Sequence, residues 1–408
     1  MKGYLHFLRA EPRFLAFGFA LTFFSSFGQT FFIALFGEEF RESFELSHTD
    51  YGTTYSVATL CSGMTIIYVG RKIDHVDLRK FTLWLCVGLM LACALLAGAV
   101  HVAMLAAAFF LLRLCGQGLL GHTALTSMSR YFHENRGKAL SIAGLGYAAG
   151  EAILPSIAVA AIAMAGWRQA WIGAGACVAF LLIPGVLFLL RGHAERHTRH
   201  LEHTEKNASA RNRVGKQWTV REVLRSFRFY GYLPAVMAPG FIMTGIFFHQ
   251  GQLIESKGWD KSWFAACFMA FAAAQVLTGL VAGPLVDRFG ARNLLPLFLL
   301  PMACGVAVIG ATSTPMTAVV FLSLFGATGG LGGPIVGGMW AEEFGTQHLG
   351  SIRAMTTSVM VFGTAGSPAL FGKLLDSQVS IDDIAWMCCA YAVVGMALAT
   401  VASRLRRT

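Results

Sequence analysis

Gly283–Arg292, GPLVDRFGAR, and Gly70–Lys80, GRKIDHVDLRK, are two polar turns set in long apolar sequence, and they decide the fold. Asp74 recurs as Asp287, Arg79 as Arg292, Gly70 as Gly283 and, further along, Pro155 as Pro368, each 213 residues on. Gly18, Gly137 and Gly150 recur at the same offset as Gly231, Gly350 and Gly363. Glycine makes up 45 of the 408 residues, so the matched Asp and Pro carry more weight than the matched glycines. A repeat of this kind in apolar sequence means two membrane bundles in one chain, with a site between them.

Outward from the turns, the chain is 55% apolar and 13% charged, with a mean hydropathy of +0.59. No soluble core absorbs that composition. Stretches able to span about 30 Å of hydrocarbon at about 1.5 Å per residue lie near residues 14–37, 51–70, 81–100, 102–127, 138–165 and 169–190 (spans 1 to 6). Spans 7 to 12 fall near 229–254, 262–286, 294–312, 315–340, 351–374 and 384–403. The expected fold is all-α, with twelve transmembrane helices in two pseudo-symmetric six-helix bundles, residues 1–190 and 229–408. The opening MKGYLHFLRAEPRF reads as a short basic lead into a full-length span, not as a cleavable signal.

If both termini are cytoplasmic, all but six of the 32 Lys and Arg lie on the inner side. Arg41, Arg168, Lys257, Lys261 and Lys373 fall outside, and Arg113 falls within a span. This is the positive-inside asymmetry of a multi-pass protein, here placed in an inner (plasma) membrane. The net charge of +10 therefore reports topology and anionic lipid, with no nucleic acid as partner. The nine cysteines sit mostly within spans and show no metal-ligand spacing, so they read as packing residues.

Residues 191–228 form the polar interlude, a cytoplasmic linker. Within WTVREVLRSFRFYGYL, Trp218, Val220, Val223, Leu224 and Phe227 are spaced for an amphipathic helix on the membrane face. His193, His197, His200 and His203 would form one helical stripe, either a solvated face or a metal-binding one; the solvated face is the expectation.

GPLVDRFGAR matches the signature loop of the major facilitator superfamily, G-x-L-x-D-R-x-G-x-R, at every specified position. The first copy keeps Gly70, Asp74 and Arg79 but has Lys72, His75 and Asp77 where the motif has Leu, Arg and Gly. Gly283 is expected to let helices approach closely, and Gly290 to make a tight turn. Asp287, Arg288 and Arg292 place opposite charges at helix ends. Glu342 and Glu343, at the inner end of span 10, are expected to pair with Arg288 or Arg292 when that side is shut.

Span 4 contains RLCGQG, with Arg113 deep in the apolar stretch. A cation there costs at least about 2.5–3.5 kcal/mol unless it meets water or a partner. Gln117 shares its face at i, i+4, whereas His122 is rotated away. Superfamily members often carry an arginine followed by glycines in this helix. Span 5, YFHENRGKALSIAGLGYAAGEAILP, resembles the monocarboxylate porters through Tyr131, Phe132, Arg136, Ala139, Gly144 and Gly150. Drug/proton antiporters usually have Gly-Pro here, but Gly150 is followed by Glu151. Glu151, at a depth similar to that of Arg113, is either its ionic brace or a carrier of a coupled proton.

The superfamily resemblance implies that helices 1, 4, 7 and 10 line a cavity, which favours Gln29 and His249. Gln252 and Gln275 complete the polar candidates. Span 10 holds seven glycines and Pro334 in FGATGGLGGPIVGGMW, suited to a bending gate or to close packing. No nucleophile–base cluster, phosphate loop or metal spacing appears, so no enzyme and no cofactor is expected. The reading is a monomeric secondary transporter of a small organic anion by alternating access, with a proton as possible co-substrate. Its rivals are an exporter of amphipathic compounds and a membrane solute sensor.

Overall fold

In a computed structural model the protein is helical, with no strand among the described residues, which are 7, 11–74, 76–132, 135–193, 218–345 and 349–404. Nine helices among them are long and apolar enough to cross a membrane by themselves. They are Leu78–Ala97, Val102–Tyr131, Arg136–Ala165, Trp167–Leu189, Phe227–Phe248, Lys261–Phe289, Pro315–Phe344, Met355–Asp376 and Ile381–Arg404, on spans 3 to 8 and 10 to 12. Exposed Trp84, Phe180, Leu277, Phe362 and Val401 suit a lipid solvent.

The other three spans depart from a plain apolar helix, each for a legible reason. Span 1 runs Pro12–Gly28, breaks at Gln29 and resumes as Thr30–Phe44 at an angle of 46°. Span 2, His48–Val69, carries many hydroxyls; Thr54 and Thr65 donate theirs to the Asp50 and Cys61 carbonyls one turn back. Span 9 starts as Ala291–Leu294 and is regular only over Leu300–Ala311. Pro296 and Pro301 remove two amide donors there, and short-range bonds such as Leu297 N–H to Leu294 O bridge the gap.

Span 10 is one continuous helix, Pro315–Phe344, despite its seven glycines and Pro334. Glycine here serves contact: a β-carbon on Gly326 or Gly330 would overlap the backbone carbonyl of Phe271 or Gln275 in span 8. Span 11 carries Pro368 within Leu349–Asp376, and the Ser367 hydroxyl donates to the Thr364 carbonyl that the proline leaves without its helical donor.

The linker helix is shorter than its periodicity suggests. It covers Val220–Arg225, closed at its start by a Thr219–Glu222 capping box, and Ser226 separates it from span 7. Val223 is buried, Trp218 packs on Phe344 and exposed Phe227 already belongs to span 7. His197, His200 and His203 lie outside the described residues; His193 packs against Phe14 and Tyr131.

By their internal contacts the described residues fall into two compact units. Unit one gathers residues from 1–33, 61–150 and 160–214, and unit two from 34–60, 151–159 and 215–408. The grouping of 34–60 with the second set has a specific cause. A β-carbon on Gly52 would overlap the Pro368 carbonyl, and one on Gly372 the His48 carbonyl, so the backbones of spans 2 and 11 touch. Asp376, at the end of span 11, accepts the His48 and Thr49 amides at 3.1 and 2.8 Å, capping the start of span 2.

Candidate functional site

In unit one, two irregular helices meet at Arg113. Gln29 is extended (φ −79°, ψ 149°) and ends the first half of span 1. Phe32 N–H, the helical donor for Gly28 O, turns instead to Gln29 O at 3.2 Å. The freed Gly28 carbonyl accepts from Arg113 Nη1 at 3.3 Å, and Thr30 Oγ1 accepts from the same nitrogen at 3.4 Å. A cation at the carbonyl end of a helix segment is favoured by the peptide dipoles. Arg113 is 6% exposed.

Span 4 is itself underwound where it meets this break, with i→i+5 bonding across Leu112–Leu120. Gly28 and Gly116 make the crossing possible. A β-carbon on Gly28 would overlap Leu112 O and Gln117 N, and one on Gly116 would lie 2.9 Å from Gly28 N. Gln29 and Gln117 flank the contact, both half-buried, so sequence candidates Gln29, Arg113 and Gln117 come together. Broken or bulged helices with freed carbonyls are where membrane transporters hold solutes and ions.

In unit two, Glu151 of span 5 is 9% exposed. Gln275 of span 8 donates Nε2 to its Oε2 at 3.1 Å, which joins two more candidates. The donor is a neutral amide, so it supplies a hydrogen bond without neutralising a carboxylate.

His249 is buried and spoken for: Nε2 lies 2.9 Å from Pro368 O, so it is the protonated nitrogen and braces span 7 to span 11. Gln252 lies near His48, the first residue of span 2. Both line a cavity of about 30 Å³ with Glu38, Arg41, Tyr51 and Glu255. Tyr51 stacks on Phe248 at 4.3 Å, and Lys261 pairs with Glu38 at the rim.

The signature loop in unit two departs from expectation in part. Gly290 has φ +79°, the conformation the tight turn requires. Gly283 does not permit a close approach, because a β-carbon there would meet nothing within 4 Å. At Gly70 the added carbon would stand 3.7 Å from the His122 ring, an ordinary contact. Glu342 accepts the Ala291 and Arg292 amides at 2.9 and 3.0 Å and so caps the start of span 9.

Glu343 is buried and pairs with Arg228 at 2.6 Å and Arg292 at 3.6 Å. Arg288 instead lies exposed over the Phe289 ring, because Arg228 and Arg292 already occupy the carboxylate it was expected to meet. Asp287 and Arg79 are exposed, and the Asp74 side chain lies outside the described residues. In unit one Arg130 donates to the Ile73 carbonyl at 3.2 Å, tying the first loop to the end of span 4.

Several residues here escape a sequence reading. Arg228 counts there only as one more linker cation, although Ser226 before it ends the linker helix and places it in span 7. Thr30 and Asp376 have no motif; their roles depend on a helix break and an interhelical cap. Lys257, buried against Ile309 O and paired with Asp382 at 2.7 Å, ties spans 7, 9 and 12 together.

Comparison with known proteins agrees with this geometry. The chain is 25% identical over 359 residues to the uncharacterized MFS-type transporter YcxA of Bacillus subtilis (strain 168), covering 85% of this chain and 84% of that one. The family model described as Major Facilitator Superfamily matches residues 18–368 and 251–408. Broken span 1, underwound span 4 and the Gly290 turn thus stand within a match to nearly the whole sequence, and the chain belongs to the Major Facilitator Superfamily of membrane transporters.

Proposed function

We propose that this transporter carries a small organic anion, a carboxylate above all, and couples its movement to a proton. The supporting observation is Arg113 against the Gly28 carbonyl at the break in span 1. A guanidinium kept within an apolar span, beside irregular backbone, offers planar bidentate recognition to a carboxylate. Gln29 and Gln117 supply amide groups to orient the same solute. Glu151 takes up and releases the proton, since a carboxyl group in a span beside a neutral donor is least costly when protonated.

The same reading extends to organisation. Residues 1–190 and 229–408 act as the two halves of an alternating-access device, joined by the 191–228 linker, with both termini on the cytoplasmic side of a plasma membrane. It works as a monomer, and its porter-like span 5 favours monocarboxylates over larger amphipathic compounds. The Glu342 cap and the Glu343 pairs, with the Gly290 turn, serve as fastenings at the inner end.

A binding screen tests the anion site. Purified protein is heated with a panel of small carboxylates and with the matching primary amides. Stabilisation by acids but not amides, lost in Arg113→Ala, is expected. Arg113→Ala with undiminished stabilisation would remove the arginine from the site.

A further inference from the structure

Gln275 faces two ways, toward span 10 at its oxygen and toward Glu151 at its nitrogen. Spans 8 and 10 meet along a ladder with a step of one helical turn. A β-carbon on Gly326 would overlap the Phe271 carbonyl, and one on Gly330 the Gln275 carbonyl, the Thr278 hydroxyl or both. Thr278 Oγ1 crosses the same seam to donate to Ala327 O at 3.1 Å. The Gln275 backbone therefore has span 10 directly against it.

The side chain leaves this seam with one end touching each neighbour. Its Oε1 lies 3.0 Å from where a β-carbon on Gly329 would be, and its Nε2 donates to Glu151 Oε2 at 3.1 Å. The amide is planar, so span 10 at its oxygen sets where its nitrogen points. Within unit two no charged side chain among the described residues forms an ion pair with Glu151, so the group facing it is this amide. Span 10 has Gly332, Gly333 and Pro334 just beyond the seam, where a helix bends most readily.

We infer that Gln275 is a positioning residue through which span 10 sets how readily Glu151 holds its proton. With the seam closed, Nε2 points at the carboxyl oxygen and favours the ionised form. Displacing Gly329 or Gly330 turns the amide away and favours the protonated form. A solute that bends span 10 thereby changes proton binding at Glu151 without touching it. This rests on Glu151 being the proton carrier.

The test needs no solute. Infrared spectra of the whole protein in lipid are recorded across a pH series, and the protonated-carboxyl band lost in Glu151→Gln is followed. Gln275→Leu is expected to move the half-point of that band up by about one pH unit, a tenfold change in proton affinity. Gly329→Ala is expected to move it the same way by less, and to add nothing in the Gln275→Leu background. Gln275→Asn, too short to hold the contact, should behave like Gln275→Leu; thermal unfolding checks that each variant is folded.

An unmoved half-point in folded Gln275→Leu, or a Gly329→Ala shift that persists without Gln275, overturns the positioning role while Glu151 still titrates. If no band depends on Glu151, the proton reading itself fails and this inference with it.

Discussion

Gly28→Ala tests whether the span 1–span 4 crossing is a built feature. The added carbon would fall on Leu112 O and Gln117 N, backbone atoms that have no rotamer to move to. The two helices must therefore part. Overpacking of this kind costs about 1–3 kcal/mol. The Arg113–Gly28 bond, already 3.3 Å long, would pass beyond hydrogen-bonding range, adding about 1 kcal/mol. A total of about 2–4 kcal/mol follows. Gly144→Ala is the matched control, since nothing lies within 4 Å of its added carbon. Thermal unfolding in detergent should place Gly28→Ala several degrees below wild type, with Gly144→Ala close to it, and carboxylate stabilisation should fall only in the former. Equal stability and equal solute response in the two variants would refute the crossing as the determinant of the Arg113 site.

Other expectations follow from single contacts. Glu343→Gln leaves Arg228 and Arg292 facing each other in a buried place and should cost about 3–5 kcal/mol, most of it recovered by adding Arg228→Met; a cycle in unfolding free energy measures this, and simple additivity would contradict it. Asp376→Ala removes the cap on the His48 and Thr49 amides, so hydrogen exchange at those two amides should accelerate; unchanged protection would show that the cap is incidental. Gly283→Ala should leave stability within about 0.5 kcal/mol of wild type, and a larger loss would mean that the motif glycine has a contact absent from this structure.

The spans were legible because apolar length is a one-dimensional property, and lipid imposes it on each helix separately. The Gly290 turn was legible for a similar reason, since a left-handed residue beside a charged helix end leaves a local mark. The break at Gln29 was not: no proline marks it, and the flanking sequence is as apolar as any helix. What opens it is the Gly28–Gly116 approach, which belongs to two segments about ninety residues apart. The underwound turn of span 4 is equally hidden, because an i→i+5 register uses the same residues as an α-helix. Among the charges, depth in a span flagged Arg113 and Glu151, whereas the Arg228–Glu343 pair required knowing which face of span 10 turns inward. Gly283 shows the opposite failure: a motif glycine suggests close packing, and the space beside it is open.

Proton-coupled uptake tests the central claim most directly. Proteoliposomes enclosing a pH-sensitive dye are given a small carboxylate that stabilises the protein, under an inward proton gradient, with its amide as control. Carboxylate and protons are expected to enter together in wild type, neither in Arg113→Ala, and carboxylate without gradient dependence in Glu151→Gln. Gradient-driven uptake that survives in Glu151→Gln, or equal uptake of the amide, would contradict a carrier that holds its anion at Arg113 and its proton at Glu151.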